Sequence, residues 1–201
     1  QEIAHADVQV RRIVGAVEAS EVAGRTVVIV TADHGEEHGE HGRYFHGQAV
    51  YRESIQVPLV VRLPGAAPRV AEGLAGLLDL TPTILELAKI HPTDRFAGRS
   101  LLPVLLGQTD AVRDHLFAET MPDSERPDDV KSVIEGDLQL IYDVRGGVFQ
   151  LYDLRADPLQ RVNLVDRIGR IGPVATRLRT RLLDWMSASL AEENRIDDAV
   201  Q

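Results

Sequence analysis

The 201 residues include no cysteine. That excludes disulfides, thiolate metal sites and a cysteine nucleophile within this chain, and it leaves the redox compartment unread. Aromatic residues make up only 4%, so Leu, Val, Ile and Ala must carry the packing of a chain that is 44% hydrophobic. Positive charge is also scarce: 22 Lys and Arg stand against 31 Asp and Glu, for a formal net charge of −9. With no cluster of Lys or Arg to neutralise phosphates, a nucleic-acid partner is not expected. No apolar run is long enough to span a bilayer, so no membrane segment is expected in this chain. The chain opens at Gln1 inside a helical pattern, without a charged and apolar leader. The expectation is that an N-terminal part of the protein precedes it.

What is present reads as a layered α/β chain. Ile3, Ala6, Val10, Ile13, Val14 and Val17 recur at helical spacing, predicting an amphipathic helix that ends near Gly24. Residues 26–30 are continuously apolar and β-branched, the pattern of a strand buried on both faces as in a parallel sheet. Residues 31–47 have neither period and read as a loop, followed by a second apolar strand over 55–62. Asp79 or Thr81 is positioned to cap a helix with Pro82 in its first turn, running on to a turn at His91-Pro92. Residues 100–106 read as a short helix stopped by Gly107. From about Asp110 the pattern changes to short strands over 115–119, 131–134, 138–143 and 149–153. Turns at Gly136 and Gly146-Gly147 separate the last three. A final helix is predicted over 173–190, with Val174, Leu178, Leu182, Leu183 and Met186 on one face. We therefore expect two parts: residues 1–110 as α/β, and 111–201 as a smaller antiparallel sheet with a helix.

The chemistry concentrates in residues 31–47, which hold four of the seven histidines beside Asp33 and several glutamates. Carboxylate oxygens suit hard divalent cations, and imidazole suits Mn and Zn. A loop leaving the C-terminal end of a buried strand is also where α/β sheets place ligand sites. An isolated Asp-His pair is more often a turn cap in solvated loop. Here Asp33 and His34 follow a buried strand and precede a glycine-spaced His/Glu stretch, which favours metal ligation. Glu36, Glu37, His38, Glu40 and His41 read instead as surface groups or as supports behind the ligands. Tyr51 and Glu53 read as packing or loop anchors. Arg62 and Arg99 could meet an anion, although solvated arginines are commoner, and the position of Lys131 is left open.

The string Thr31-Ala32-Asp33-His34-Gly35-Glu36, then Gly39-Glu40-His41-Gly42, His46-Gly47 and Val57-Pro58-Leu59, closely resembles the C-terminal half of the sulfatase family of the alkaline-phosphatase superfamily. The resemblance continues through Asp79-Leu80-Thr81-Pro82, Gly98-Arg99-Ser100-Leu101, Leu151-Tyr152-Asp153-Leu154 and Asn163-Leu164. It implies an alkaline-phosphatase-like mixed sheet flanked by helices. It also implies a divalent metal ion (Ca, Mn or Zn) held by two upstream acidic groups together with Asp33 and His34. The family's nucleophile, set in Cys or Ser followed by x-Pro-x-Arg, is absent here, so this piece alone is expected to be inactive.

The best-known arylsulfatases carry Asn where this chain has His34, and Lys in the neighbourhood of His46. Asp-His is similar to phosphonate monoester hydrolases and lipid-headgroup phosphotransferases of the same superfamily. The leading expectation is a sulfuric-ester hydrolase acting on a small-molecule or glycan sulfate ester. The alternatives are a phosphodiesterase, phosphonate monoesterase or headgroup transferase, or a non-catalytic binding module. His46 is the catalytic candidate, as proton donor or anion binder, against a loop histidine bonded to backbone. The resemblance favours a periplasmic or secreted location.

Overall fold

The computed structural model describes residues 2–91, 96–122, 127–165 and 172–200, the side chains of 192–200 aside. Its elements run α1 (Glu2–Glu18), β1 (Val28–Thr31), β2 (Glu37–His38), β3 (Tyr44–Phe45), α2 (Arg52–Ile55), β4 (Leu59–Arg62), α3 (Leu80–Leu87), α4 (Leu102–Leu105), β5 (His115–Glu119), β6 (Val130–Glu135), β7 (Leu138–Asp143), β8 (Val148–Asp153) and α5 (Gly172–Val200). Two compact units interleave along the chain. One comprises residues 1–33, 57–72 and 76–112, the other 34–56, 73–75 and 113–201.

In the first unit, β1 pairs antiparallel with β4, Val28 opposite Arg62 and Thr31 opposite Leu59. The parallel arrangement expected for residues 26–30 is therefore not found among the described residues. A continuous apolar run reports that both faces want cover; it carries no information on strand direction. The strand read over 55–62 begins only at Leu59, because residues 52–55 turn as α2. Pro92, in the turn read at His91-Pro92, lies outside the described residues.

Asp79 is buried but does not cap α3 with its side chain. Its Oδ2 accepts the Gly76 N–H at 2.9 Å and its Oδ1 the Arg99 N–H at 2.7 Å. Thr83 Oγ1 donates to the Asp79 carbonyl at 2.5 Å and accepts the Leu101 N–H at 2.8 Å. The start of α3 is thereby tied to residues 99–101. Gly98 permits the approach, since a Cβ there would lie 1.9 Å from the Leu78 carbonyl oxygen.

The second unit is built on a four-stranded antiparallel sheet in the order β5-β6-β7-β8. Its strands match those read from the sequence to within a residue, with Gly136 at φ +58° in the β6–β7 turn. Alternation sends Val133, Leu140 and Leu151 to one face, where Leu178 and Leu182 of α5 bury against them. Trp185 stacks on Phe117 at 4.6 Å between ring centroids. Leu183, read as core, stays exposed. The opposite face presents Val130, Ile141 and Tyr152, which pack with Val50. This second face carries residues 34–56.

Replacing Asp79 by Ala should strip the Gly76 and Arg99 N–H groups of their acceptor. We expect it to destabilise the complete protein by about 2–4 kcal/mol in denaturant unfolding, against under about 0.5 kcal/mol for an exposed control such as Glu72→Ala.

Candidate metal and ester site

Residues 34–56 leave the end of β1 and carry little regular structure of their own. Within the segment read as a loop there is one tight hairpin, with Glu37 opposite Phe45 and His38 opposite Tyr44. Gly39, at φ +102°, lets the hairpin turn close under Tyr44; a Cβ there would meet the Tyr44 hydroxyl at 3.0 Å. Phe45, at φ +73°, holds a left-handed conformation that L-residues rarely adopt. Such backbone costs on the order of 1–3 kcal/mol and persists only where surrounding contacts over-determine it.

The contacts that over-determine this loop come from β7, from Gln160 and Asp128 outside the strands, and from the loop itself. Gln139, buried in β7, donates from Nε2 to the Val50 carbonyl at 2.7 Å and to Ser132 Oγ at 2.8 Å. Its Oε1 accepts from Gln160 Nε2 at 2.7 Å, and Gln160 Oε1 accepts the Arg52 N–H at 2.7 Å. Arg43 donates to the Gln48 carbonyl at 3.0 Å and to Asp128 Oδ1 at 3.1 Å. Gly35 donates its N–H to the Ser54 carbonyl at 2.8 Å, and a Cβ on Gly35 would lie 1.9 Å from the Glu53 carbonyl oxygen.

So fastened, the loop brings His34, Glu36 and His46 together, one ligand-type atom from each within 4.8 Å of the others. The His34 and His46 rings stack at 4.1 Å, and His46 Nδ1 lies 3.3 Å from Glu36 Oε2. His34 Nδ1 is 2.7 Å from the Gly35 carbonyl. A carbonyl only accepts, so Nδ1 carries the hydrogen and the lone pair of the neutral ring falls on Nε2. That tautomer is one of the two in which a histidine binds a metal, with its second nitrogen fixed by a backbone acceptor. The donor set therefore fits a divalent ion: an imidazole in a ligating tautomer, immediately preceded in the chain by the hard oxygen donor Asp33. Asp33 is exposed and is not one of the three gathered residues.

Several other residues stand differently from the sequence reading. Glu36, taken there for a surface or supporting group, is one of the three gathered residues. Glu37 is 1% exposed, accepts from Ser54 Oγ at 2.8 Å with Oε1, and has no partner for Oε2 among the described residues. His41, read as a surface or supporting group, is part-buried against Tyr51, whose ring it stacks on at 3.7 Å, and Nδ1 meets Glu53 Oε1 at 2.5 Å. The anchoring read for Tyr51 is seen in its hydroxyl, which donates to Gln150 Oε1 at 2.9 Å. Arg62 is taken up by the Ala23 and Thr26 carbonyls, each at 3.3 Å, and Arg99 by the Val112 carbonyl at 2.7 Å. No period in the local sequence marks Glu37 as an inward residue. Nothing in the local sequence marks Gln139 or Gln160.

Lys131 is likewise engaged. Its ammonium donates to Glu119 Oε2 at 2.6 Å and lies 3.1 Å from Asp129 Oδ1, a contact of charges rather than an aligned hydrogen bond. Burial works to lower its pKa, but the two carboxylates outweigh burial and hold it above the ordinary lysine range.

With this geometry in view, the comparisons are direct. The sulfatase family model matches residues 1–90. The choline-sulfatase of Rhizobium meliloti (strain 1021) is 30% identical over 194 residues, 92% of this chain and 36% of that protein. Over residues 1–90, therefore, the chain carries the sulfatase family's pattern. The 2-O GAG sulfatase BT1596 superposes with a TM-score of 0.84 at 24% identity, covering 94% of this chain and 42% of the other. The phosphonate monoester hydrolase SpPMH of Silicibacter pomeroyi gives 0.76 at 24% identity, over 90% of this chain and 38% of the other. The fold is accordingly part of the alkaline-phosphatase-like architecture. The chain spans about a third of the length of this curated sulfatase relative, 36%. Among the described residues, no helix is long and apolar enough to cross a membrane.

Two outcomes test the anchoring. Gly35→Ala should dislodge the loop from α2 and lower thermal stability, whereas Gly42→Ala, with open space around its Cβ, should cost only its positive-φ strain. For Lys131 the folded-state pKa is raised, so its contribution is complete at neutral pH and fades as pH climbs past the ordinary lysine range. Lys131→Gln should therefore lower the melting temperature at pH 7, and the difference from wild type should shrink only in strongly alkaline buffer.

Proposed function

We propose that the complete protein is a sulfuric-ester hydrolase working with a divalent metal ion. The observation that carries this reading is the gathering of His34, Glu36 and His46, directly after Asp33 in sequence, in a chain whose first 90 residues match the sulfatase family. Asp33 and His34 would hold the ion, with Ca, Mn or Zn as candidates, and the imidazole tilts the choice towards Mn or Zn. When bound, a divalent ion neutralises negative charge that builds on the oxygens of the transferring group. His46 would do the work at the leaving oxygen, donating a proton from Nε2 or binding the anion. Glu36, at 3.3 Å from Nδ1, orients the ring for that task.

A 2-O GAG sulfatase and a choline-sulfatase among the similar proteins support a glycan or small-molecule sulfate ester as the substrate class. A phosphonate monoester is the second reading. It is favoured by His34 in the metal pair and by the likeness in fold to a phosphonate monoester hydrolase. Residues 1–110 as the C-terminal share of the catalytic α/β domain, with 111–201 as a smaller lobe, is the domain division we propose.

Metal analysis under limiting metal tests the ligand assignment. Asp33→Ala should lower occupancy sharply, and His34→Asn should shift preference towards Ca; an Asp33→Ala protein that loads like wild type would remove the assignment. His46→Ala should lower kcat by about 10²–10⁴-fold with little loss of metal. The deficit should be smaller for esters with good leaving groups if proton donation is its role, and equal across leaving groups if it binds the anion. Rates on matched aryl sulfates and aryl phosphonate monoesters decide between the two substrate classes.

A further inference from the structure

His41 and Glu53 form a part-buried pair that the proposed chemistry does not use. Their side chains are 14% and 15% exposed. His41 Nε2 lies 3.2 Å from the Gln160 carbonyl oxygen, which can only accept, so Nε2 carries a hydrogen. Nδ1 is 2.5 Å from Glu53 Oε1. Two lone pairs do not approach so closely, so a second proton lies on that line, whether the ring or the carboxyl owns it.

The two groups that His41 grips are themselves fixed. Glu53 belongs to α2, and its neighbour Arg52 is bonded through its backbone N–H to Gln160. Gln160 is 1% exposed and held at φ +51°, with its side chain committed to Arg52 and to Gln139. The flat face of the imidazole rests on Tyr51, whose ring meets Tyr152 edge-on at 6.1 Å. His41 also lies midway along the chain between Glu36 and His46. It bonds the tip of the loop to α2 and to Gln160.

We propose that His41 is a positioning residue. Through the proton it shares with Glu53 and its bond to Gln160, it sets where Glu36 and His46 stand. The proposal deepens the reading above and rests on His46 acting at the ester.

The test uses the complete protein. His41→Ala, His46→Ala and the double variant are compared on esters with poor and good leaving groups, and the ring resonances of His46 are followed by ¹H–¹⁵N correlation. His41→Ala should lower kcat by about ten-fold or more on poor leaving groups, with little change in KM, and should move the His46 ring signals. The double variant should be no slower than His46→Ala alone, because both remove one function. Glu53→Gln, whose amide N–H can donate to a neutral His41, should lose less than His41→Ala. Should His41→Ala fail to fold, His41→Asn, which keeps a donor towards Glu53 and gives up Gln160, carries the same comparison. Losses that multiply in the double variant, or His46 signals that stay in place, overturn the proposal. If His46→Ala leaves kcat intact, the role of His46 at the ester falls, and the ring signals alone decide whether His41 positions it.

Discussion

Gln139 sits at the centre of an antiparallel sheet with no access to water, and both ends of its amide need partners. It finds them in Ser132 beside it, in the Val50 carbonyl of the loop above and in the amide of Gln160. A buried polar group left unpaired costs about 1–3 kcal/mol, so these bonds are tied to one another. Moving the loop would leave Gln139 and Gln160 short of partners together. The arrangement behaves as one network, and its parts cannot be traded singly.

Residues 34–56 depend on that network because they have so little else. A two-residue hairpin and one turn of helix cannot hold a 23-residue stretch (34 to 56 inclusive) in place by their own hydrogen bonds. Val50 and Ile55 add apolar contact with Ile141 and Tyr152, and Arg43 adds a charged tie to Asp128. The outcome is a loop whose inner side is buried, at Glu37, Ala49, Val50 and Ser54, and whose outer side displays His34. An exposed edge held on a rigid inner seam is the arrangement that positioned acid–base or metal chemistry would require.

The sheet serves two purposes with its two faces. Leu140 and Leu151 look towards α5, where Leu178 and Leu182 close a core of aliphatic side chains. Gln139 and Gln150, one residue away along the same strands, look towards the loop. The period of two in β7 and β8 thus separates a dry scaffold from a polar mounting surface, and a slip of one residue in register would exchange them. Stability and site geometry are consequently set by the same four strands.

Much of this was legible in the residues themselves. β5 and β7 lie where alternation and glycine turns put them, because local pattern decides strand existence in an antiparallel meander. Asp33, His34 and His46 stood out because they share a glycine-rich segment behind a buried run, and the sulfatase resemblance rested on the same motifs. Other features became visible only in three dimensions. The antiparallel pairing of β1 with β4 depends on partners that apolarity cannot name. Glu36 joins the cluster only because the hairpin folds it back towards His46. His41 reads like any loop histidine until Gln160, 119 residues further on, turns its carbonyl towards it. The chain's composition and motifs determined which ligand-type side chains the loop carries. Tertiary structure decided which side chains meet, since a hydrogen bond to a residue distant in sequence leaves no trace in local pattern.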